Sequence, residues 1–95
     1  MAWYRVTYAP SIMDDLRIPD QTLAQRLLDK TKWLASNVVN LRHEPLHQDL
    51  PGLVQYAVSD WRIIYSIDRN EHVVHIHRIA TRRELYATHT TQQDS

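Results

Sequence analysis

A chain of 95 residues encloses one hydrophobic core, which makes a single domain and leaves any site on that domain's surface. Hydrophobic residues at 43% and charged residues at 23% are an ordinary globular composition, and the lack of cysteine excludes disulfides, thiolate metal sites and a cysteine nucleophile. Eleven basic residues balance eleven acidic ones, which excludes the broad cationic field of a free-standing nucleic-acid binder.

No apolar run is long enough to span a bilayer, and Met1-Ala2-Trp3-Tyr4-Arg5 lacks the layout of a signal peptide, so a soluble cytoplasmic protein with no membrane contact is expected. From Ala2 to Tyr8 the chain sets Trp3, Arg5 and Thr7 against Tyr4, Val6 and Tyr8, the period-two pattern of a strand. Ser11 with Asp14 three residues on resembles a capping box, and Ile12, Met13 and Leu16 supply the stripe of a short helix that ends before Pro19. Asp20 suits the N-cap of a longer helix, in which Leu23, Ala24, Leu27, Leu28, Thr31, Leu34, Ala35 and Val38 fall on one arc. Trp33 stands on the charged side of that helix, either packed under the first helix or exposed as a partner anchor.

Between Asn37 and Gly52 the periodicity fails, which predicts a loop. Gly52 is the only glycine and is expected where the backbone needs a geometry other residues cannot adopt. Strands over Leu53–Val58, Trp61–Ile67 and His72–Ile79 follow, joined by Ser59-Asp60 and by a turn from Asp68 to Glu71. The domain is read as residues 1–87, with 88–95 a polar, disordered tail. This order, β-α-α-β-β-β, predicts a two-layer α+β fold: a mainly antiparallel four-stranded sheet with two N-terminal helices on one face and the other face open.

Pro45-Leu46, Asp49-Leu50-Pro51-Gly52-Leu53, Asp60-Trp61-Arg62-Ile63-Ile64-Tyr65 and the ending Ile79-Ala80-Thr81-Arg82-Arg83-Glu84-Leu85-Tyr86 together resemble the RelE/ParE superfamily of type II toxins, in its RelE-like branch. The resemblance covers nearly the whole chain and implies the same fold. It further implies an mRNA endonuclease acting on the ribosome, which holds the substrate and so removes the need for a cationic surface. The partners implied are a cognate antitoxin, the ribosome and mRNA, with operator DNA reached only through the antitoxin complex. No cofactor is expected.

Metal-free RNA cleavage requires a base for the 2′-hydroxyl, a group that stabilises the extra phosphate charge, and a proton for the leaving oxygen. Arg62, in the family's Tyr-Arg-x-x-Tyr pattern as Trp61-Arg62-Ile63-Ile64-Tyr65, offers a planar fork suited to phosphate; otherwise it is an exposed strand arginine. Arg82 and Arg83 are read as adjacent residues at the end of the last strand, pointing to opposite faces, with Arg82 turned to the site and Arg83 left for RNA beyond it, the antitoxin or solvent. Tyr86 matches the family's closing tyrosine, which orients or stacks on a base, or else it plugs the sheet edge. Glu44-Pro45-Leu46 resembles the loop of the family member YoeB, where a glutamate is the general base; the alternative is a solvated loop carboxylate.

Two departures from the family stand out. Gln55 and Ala57 occupy positions where many relatives carry a basic pair, and Thr81 stands where many carry histidine. Proton transfer then falls to His47, His75 or His77, or the enzyme is weaker, or the protein is no nuclease. His75 and His77 alternate on one strand face, but with no third ligand they are read as polar groups facing the site, with His77 and Gln55 as RNA contacts, and no metal is expected. Two other functions fit the same fold: a ParE-like gyrase poison, and a relic that only binds its antitoxin.

Overall fold

The computed structural model describes residues 3–47 and 49–85; Tyr86 and the tail at 88–95 lie outside the described residues. Strand β1 (Arg5–Tyr8) leads through helix α1 (Ile12–Asp15) into helix α2 (Gln21–Ser36) and a 3₁₀ turn at Val38–Asn40. Then come β2 (Glu44–Pro45), β3 (Val54–Val58), β4 (Trp61–Asp68) and β5 (Val73–Thr81). The sheet is five-stranded in the order β1-β5-β4-β3-β2, with β1 parallel to β5 and the other pairs antiparallel. The α+β order is as expected, and the structure adds a short edge strand, Glu44–Pro45, inside the predicted loop. Local propensity could not announce it, because β2 exists only through pairing of Glu44 with Gln55 and Pro45 with Val54. An edge suits Pro45, which has no N–H to give a further neighbour.

Helix α2 starts where its cap predicts: the Asp20 side chain accepts from the Leu23 amide at 3.1 Å. Its buried face is Leu27, Thr31, Leu34 and Ala35, packed against Ile63, Tyr65, Val74, Ile76 and Ile79 of the sheet. Leu27 and Leu34 are fully buried, each stabilising the fold by roughly 1.5–3 kcal/mol. Thr31 is equally buried and satisfied. Its hydroxyl donates to the Leu28 carbonyl at 2.6 Å, so the 2.7 Å contact with Tyr8 must be a bond donated by the tyrosine.

Helix α1 begins differently from its sequence signal, since Ser11 makes no side-chain cap bond. The neighbouring carboxylate matters more. Past Tyr8, strand β1 no longer covers the edge of β5, and there Asp15 Oδ2 accepts from the Ile79 amide at 2.9 Å and pairs with Arg78 Nε at 3.5 Å. A side chain thus replaces the missing strand. Trp33 does not pack under α1; it lies against Tyr56 of β3 with ring centroids 5.6 Å apart, Lys30 Nζ sits 4.3 Å from its ring, and it stays partly exposed.

β1 starts at Arg5, opposite Val73, because β5 gives it no earlier partner. His72, expected in the strand, belongs to the turn, with φ +55°. Gly52 has φ +91°, and a Cβ there would meet nothing within 4 Å, so backbone conformation rather than space explains the glycine.

Candidate active site

On the sheet face away from the helices, β2, β3, β4 and the chain after β5 enclose an open cavity of about 370 Å³. Register explains its walls. Glu44 lies beside Gln55, and Ala57 beside Arg62, so alternate residues of three strands project to the same side. Glu44, Gln55, Arg62 and Arg82 all line the cavity, and Ala57, Leu46 and Leu85 complete it. Two arginines and one glutamate therefore line a common open depression. Gln55 and Ala57, the positions without the family's basic pair, are cavity positions, so their neutrality lowers the positive charge of the site itself.

Arg62 is held from behind. Its Nη1 donates to the carbonyls of Ser59 and Trp61, each at 2.9 Å, within the tight turn between β3 and β4 where Ser59 has φ +55°. That leaves Nε and Nη2, the edge of the guanidinium that can engage two oxygens side by side.

Arg82 reaches the cavity by a different route from the one expected. β5 ends at Thr81, and residues 82–85 form a helical turn, so alternation of extended residues does not apply to Arg82 and Arg83. The turn is started by Thr81 and Glu84: the Glu84 carboxylate accepts from the Thr81 hydroxyl at 2.8 Å and from its amide at 3.3 Å, while Thr81 Oγ1 accepts from the Glu84 amide at 3.1 Å. This is a reciprocal capping box, and its signature, Thr-x-x-Glu, stands in the chain as a signal that the strand reading passed over. The Arg82 amide, donating to the Asp60 carbonyl at 2.8 Å, ties the turn to the hairpin that holds Arg62. Arg83 is exposed on the turn and does not line the cavity. Tyr86 lies outside the described residues.

The histidines lie elsewhere. His75 bonds to Thr7, and His77 Nε2 to Ser66 Oγ at 2.8 Å, which places both on the open face, although neither lines the cavity. Partial burial, and then the neighbouring His75, lowers the His77 pKa below its ordinary value. His47 is engaged with Asp49 in the loop after β2, also outside the cavity wall. Among the candidates for proton transfer, Glu44 alone has a place in it. No group of three or more histidine or acidic side chains among the described residues could hold a metal ion. Nor is any described helix long and apolar enough to cross a membrane.

The model of the ParE toxin family of type II toxin–antitoxin systems matches residues 6–86. Among solved structures, a chain of the toxin–antitoxin complex RelBE2 from Mycobacterium tuberculosis superposes with TM-score 0.70 at 25% identity, covering 86% of this chain and 94% of that one. A chain of the archaeal RelE–RelB complex from Pyrococcus horikoshii gives 0.61 at 23% identity, with 86% and 97% covered. A double arginine-to-alanine mutant of the E. coli toxin RelE in the free state gives 0.67 at 14% identity, with 92% and 93% covered. No curated protein sequence matches significantly.

Proposed function

Because this chain belongs to the ParE toxin family and is a toxin of a type II toxin–antitoxin system with a RelE-like fold, we propose that it is a metal-independent mRNA endonuclease that acts on the ribosome and is restrained by a cognate antitoxin. The observation that carries this reading is the convergence of Glu44, Arg62 and Arg82 on one open cavity. In the proposed reaction Glu44 takes the 2′-hydroxyl proton, the 2′-oxygen attacks the adjacent phosphorus, and the bond to the 5′-oxygen breaks. The products are a 2′,3′-cyclic phosphate and a 5′-hydroxyl whose proton comes from water. Arg62 and Arg82 stabilise the charge on the five-coordinate phosphate. A positioned base contributes on the order of 10²–10⁴ in rate, and each positioned donor about 10²–10³. Gln55, His77 and Arg83 are assigned to RNA contacts around the cavity, and Tyr86 to stacking on a base.

A chain with no net charge needs a scaffold to hold its substrate, which the ribosome supplies. The test is to mix purified toxin with ribosomes programmed with a defined message and map the new ends. Codon-phased cuts leaving 5′-hydroxyl ends are expected only when ribosomes are present. The family's ParE description favours a second reading, a gyrase poison. Intact message together with gyrase-dependent DNA breaks would establish that reading instead, and neither outcome would leave a protein that only binds its antitoxin.

A further inference from the structure

Glu44 stands on an insecure element. Strand β2 is two residues long, forms one border of the sheet, and includes a proline with no amide proton. Its backbone is held by the pairing to β3 and by the Leu46 amide donating to the Leu53 carbonyl at 2.9 Å. Strands this short at an edge open easily, and a carboxylate carried on one would wander by more than a proton transfer tolerates.

The residue before it is fastened at both ring nitrogens. His43 Nε2 lies 2.8 Å from the Val38 carbonyl, and Nδ1 lies 2.6 Å from the Tyr65 hydroxyl. A carbonyl can only accept, so Nε2 carries a proton, and in the neutral ring Nδ1 then accepts a bond donated by the Tyr65 hydroxyl. Tyr65 is itself buried in the core on β4, and its ring meets the imidazole edge-on at 5.7 Å. Burial, with a smaller contribution from Tyr56, pushes the Tyr65 pKa up to about 12, so the hydroxyl keeps its proton for this bond. The successive side chains of His43 and Glu44 thus lie on opposite faces, one locked into the helix-covered side and the other lining the cavity.

We infer that His43 is a positioning residue: clamped between Val38 and Tyr65, it holds β2 against β3 and so fixes Glu44 over the cavity, without touching substrate itself. The inference rests on the proposed role of Glu44 as base. It is tested in two ways that fail separately. First, amide exchange at Leu46 reports how often β2 opens, whatever the protein's activity. His43→Ala should speed that exchange at least tenfold while deep core amides such as that of Leu34 keep their protection, and Tyr65→Phe, which preserves the ring, should speed it less. Unchanged Leu46 exchange in a folded His43→Ala protein would overturn the clamp. Second, single-turnover cleavage on programmed ribosomes gives a double-mutant cycle. His43→Ala should slow cleavage roughly tenfold at saturating ribosomes, lose nothing further when combined with Glu44→Gln, and lose the full factor when combined with Arg62→Ala. Equal losses in both backgrounds would overturn action through Glu44. A wild-type protein that leaves message intact would instead refute the proposed function, with the exchange result still deciding the clamp.

Discussion

Replacing Arg62 asks whether the cavity performs chemistry. Both Nη1 hydrogens are committed to the Ser59 and Trp61 carbonyls at 2.9 Å, which fixes the plane of the guanidinium before substrate arrives. In the proposed reaction the remaining edge would present two parallel donors to charge that grows on the phosphate only in the transition state. Removing one such preorganised donor group costs about 2.7–4 kcal/mol in activation free energy, so Arg62→Ala should cut single-turnover cleavage on the order of a hundred- to a thousandfold. Arg62→Lys should recover only part, since an ammonium is a compact point charge that offers no planar fork to two phosphate oxygens. Stability should change little. The carbonyls released are the exposed one of Ser59 in the turn and the part-buried one of Trp61 at the start of β4, where water can replace the lost donors, a cost of roughly 1 kcal/mol and a fall in Tm of about 8 °C or less. The assay is cleavage of a defined message on saturating programmed ribosomes, with a thermal melt and antitoxin binding as controls. A folded Arg62→Ala protein that binds antitoxin and cuts within threefold of the wild-type rate would refute the assignment.

Asp15→Ala should leave the Ile79 amide without a partner at the edge of β5, costing about 1–3 kcal/mol and lowering Tm by on the order of ten degrees, whereas Asp15→Asn keeps an acceptor and loses less. An Asp15→Ala melt that overlays the wild type would mean that water caps this edge. The raised Tyr65 pKa means that the folded state holds the proton more tightly than the unfolded chain. Its stabilisation is therefore complete below pH 10 and is lost as pH rises towards about 12, roughly 2–3 kcal/mol in all, and denaturant midpoints across that range should flatten in Tyr65→Phe. The lowered His77 pKa has the opposite sense: the unfolded chain takes the proton first, so stability should fall slightly as pH drops below about 6.5, and His77→Gln should remove that slope.

What the chain determined by itself is what neighbours in sequence can enforce. The Asp20 cap, the helical spacing of Leu27, Thr31 and Leu34, the alternation of core-facing Tyr4 and Val6 with exposed Arg5 and Thr7 and the positive φ at Gly52 each rest on a few adjacent residues, and each was readable from them. The turn and pattern around Arg62 marked it as a candidate, and it lies in the cavity wall. The Thr81–Glu84 capping box is local too, yet it was hidden by reading the arginine pair as strand. Tertiary structure decided the rest, because it depends on groups far apart in the chain. Glu44 acquires a strand only when Gln55 pairs with it, and Asp15 acquires its role only when the Ile79 amide, 64 residues away, needs an acceptor. His43 likewise becomes a clamp only through Tyr65. The cavity is of the same kind: side chains unremarkable in their own segments converge there because strand register and one helical turn bring four parts of the backbone to a common face. Periodicity can say which face a residue takes, but only pairing between strands says what it faces there.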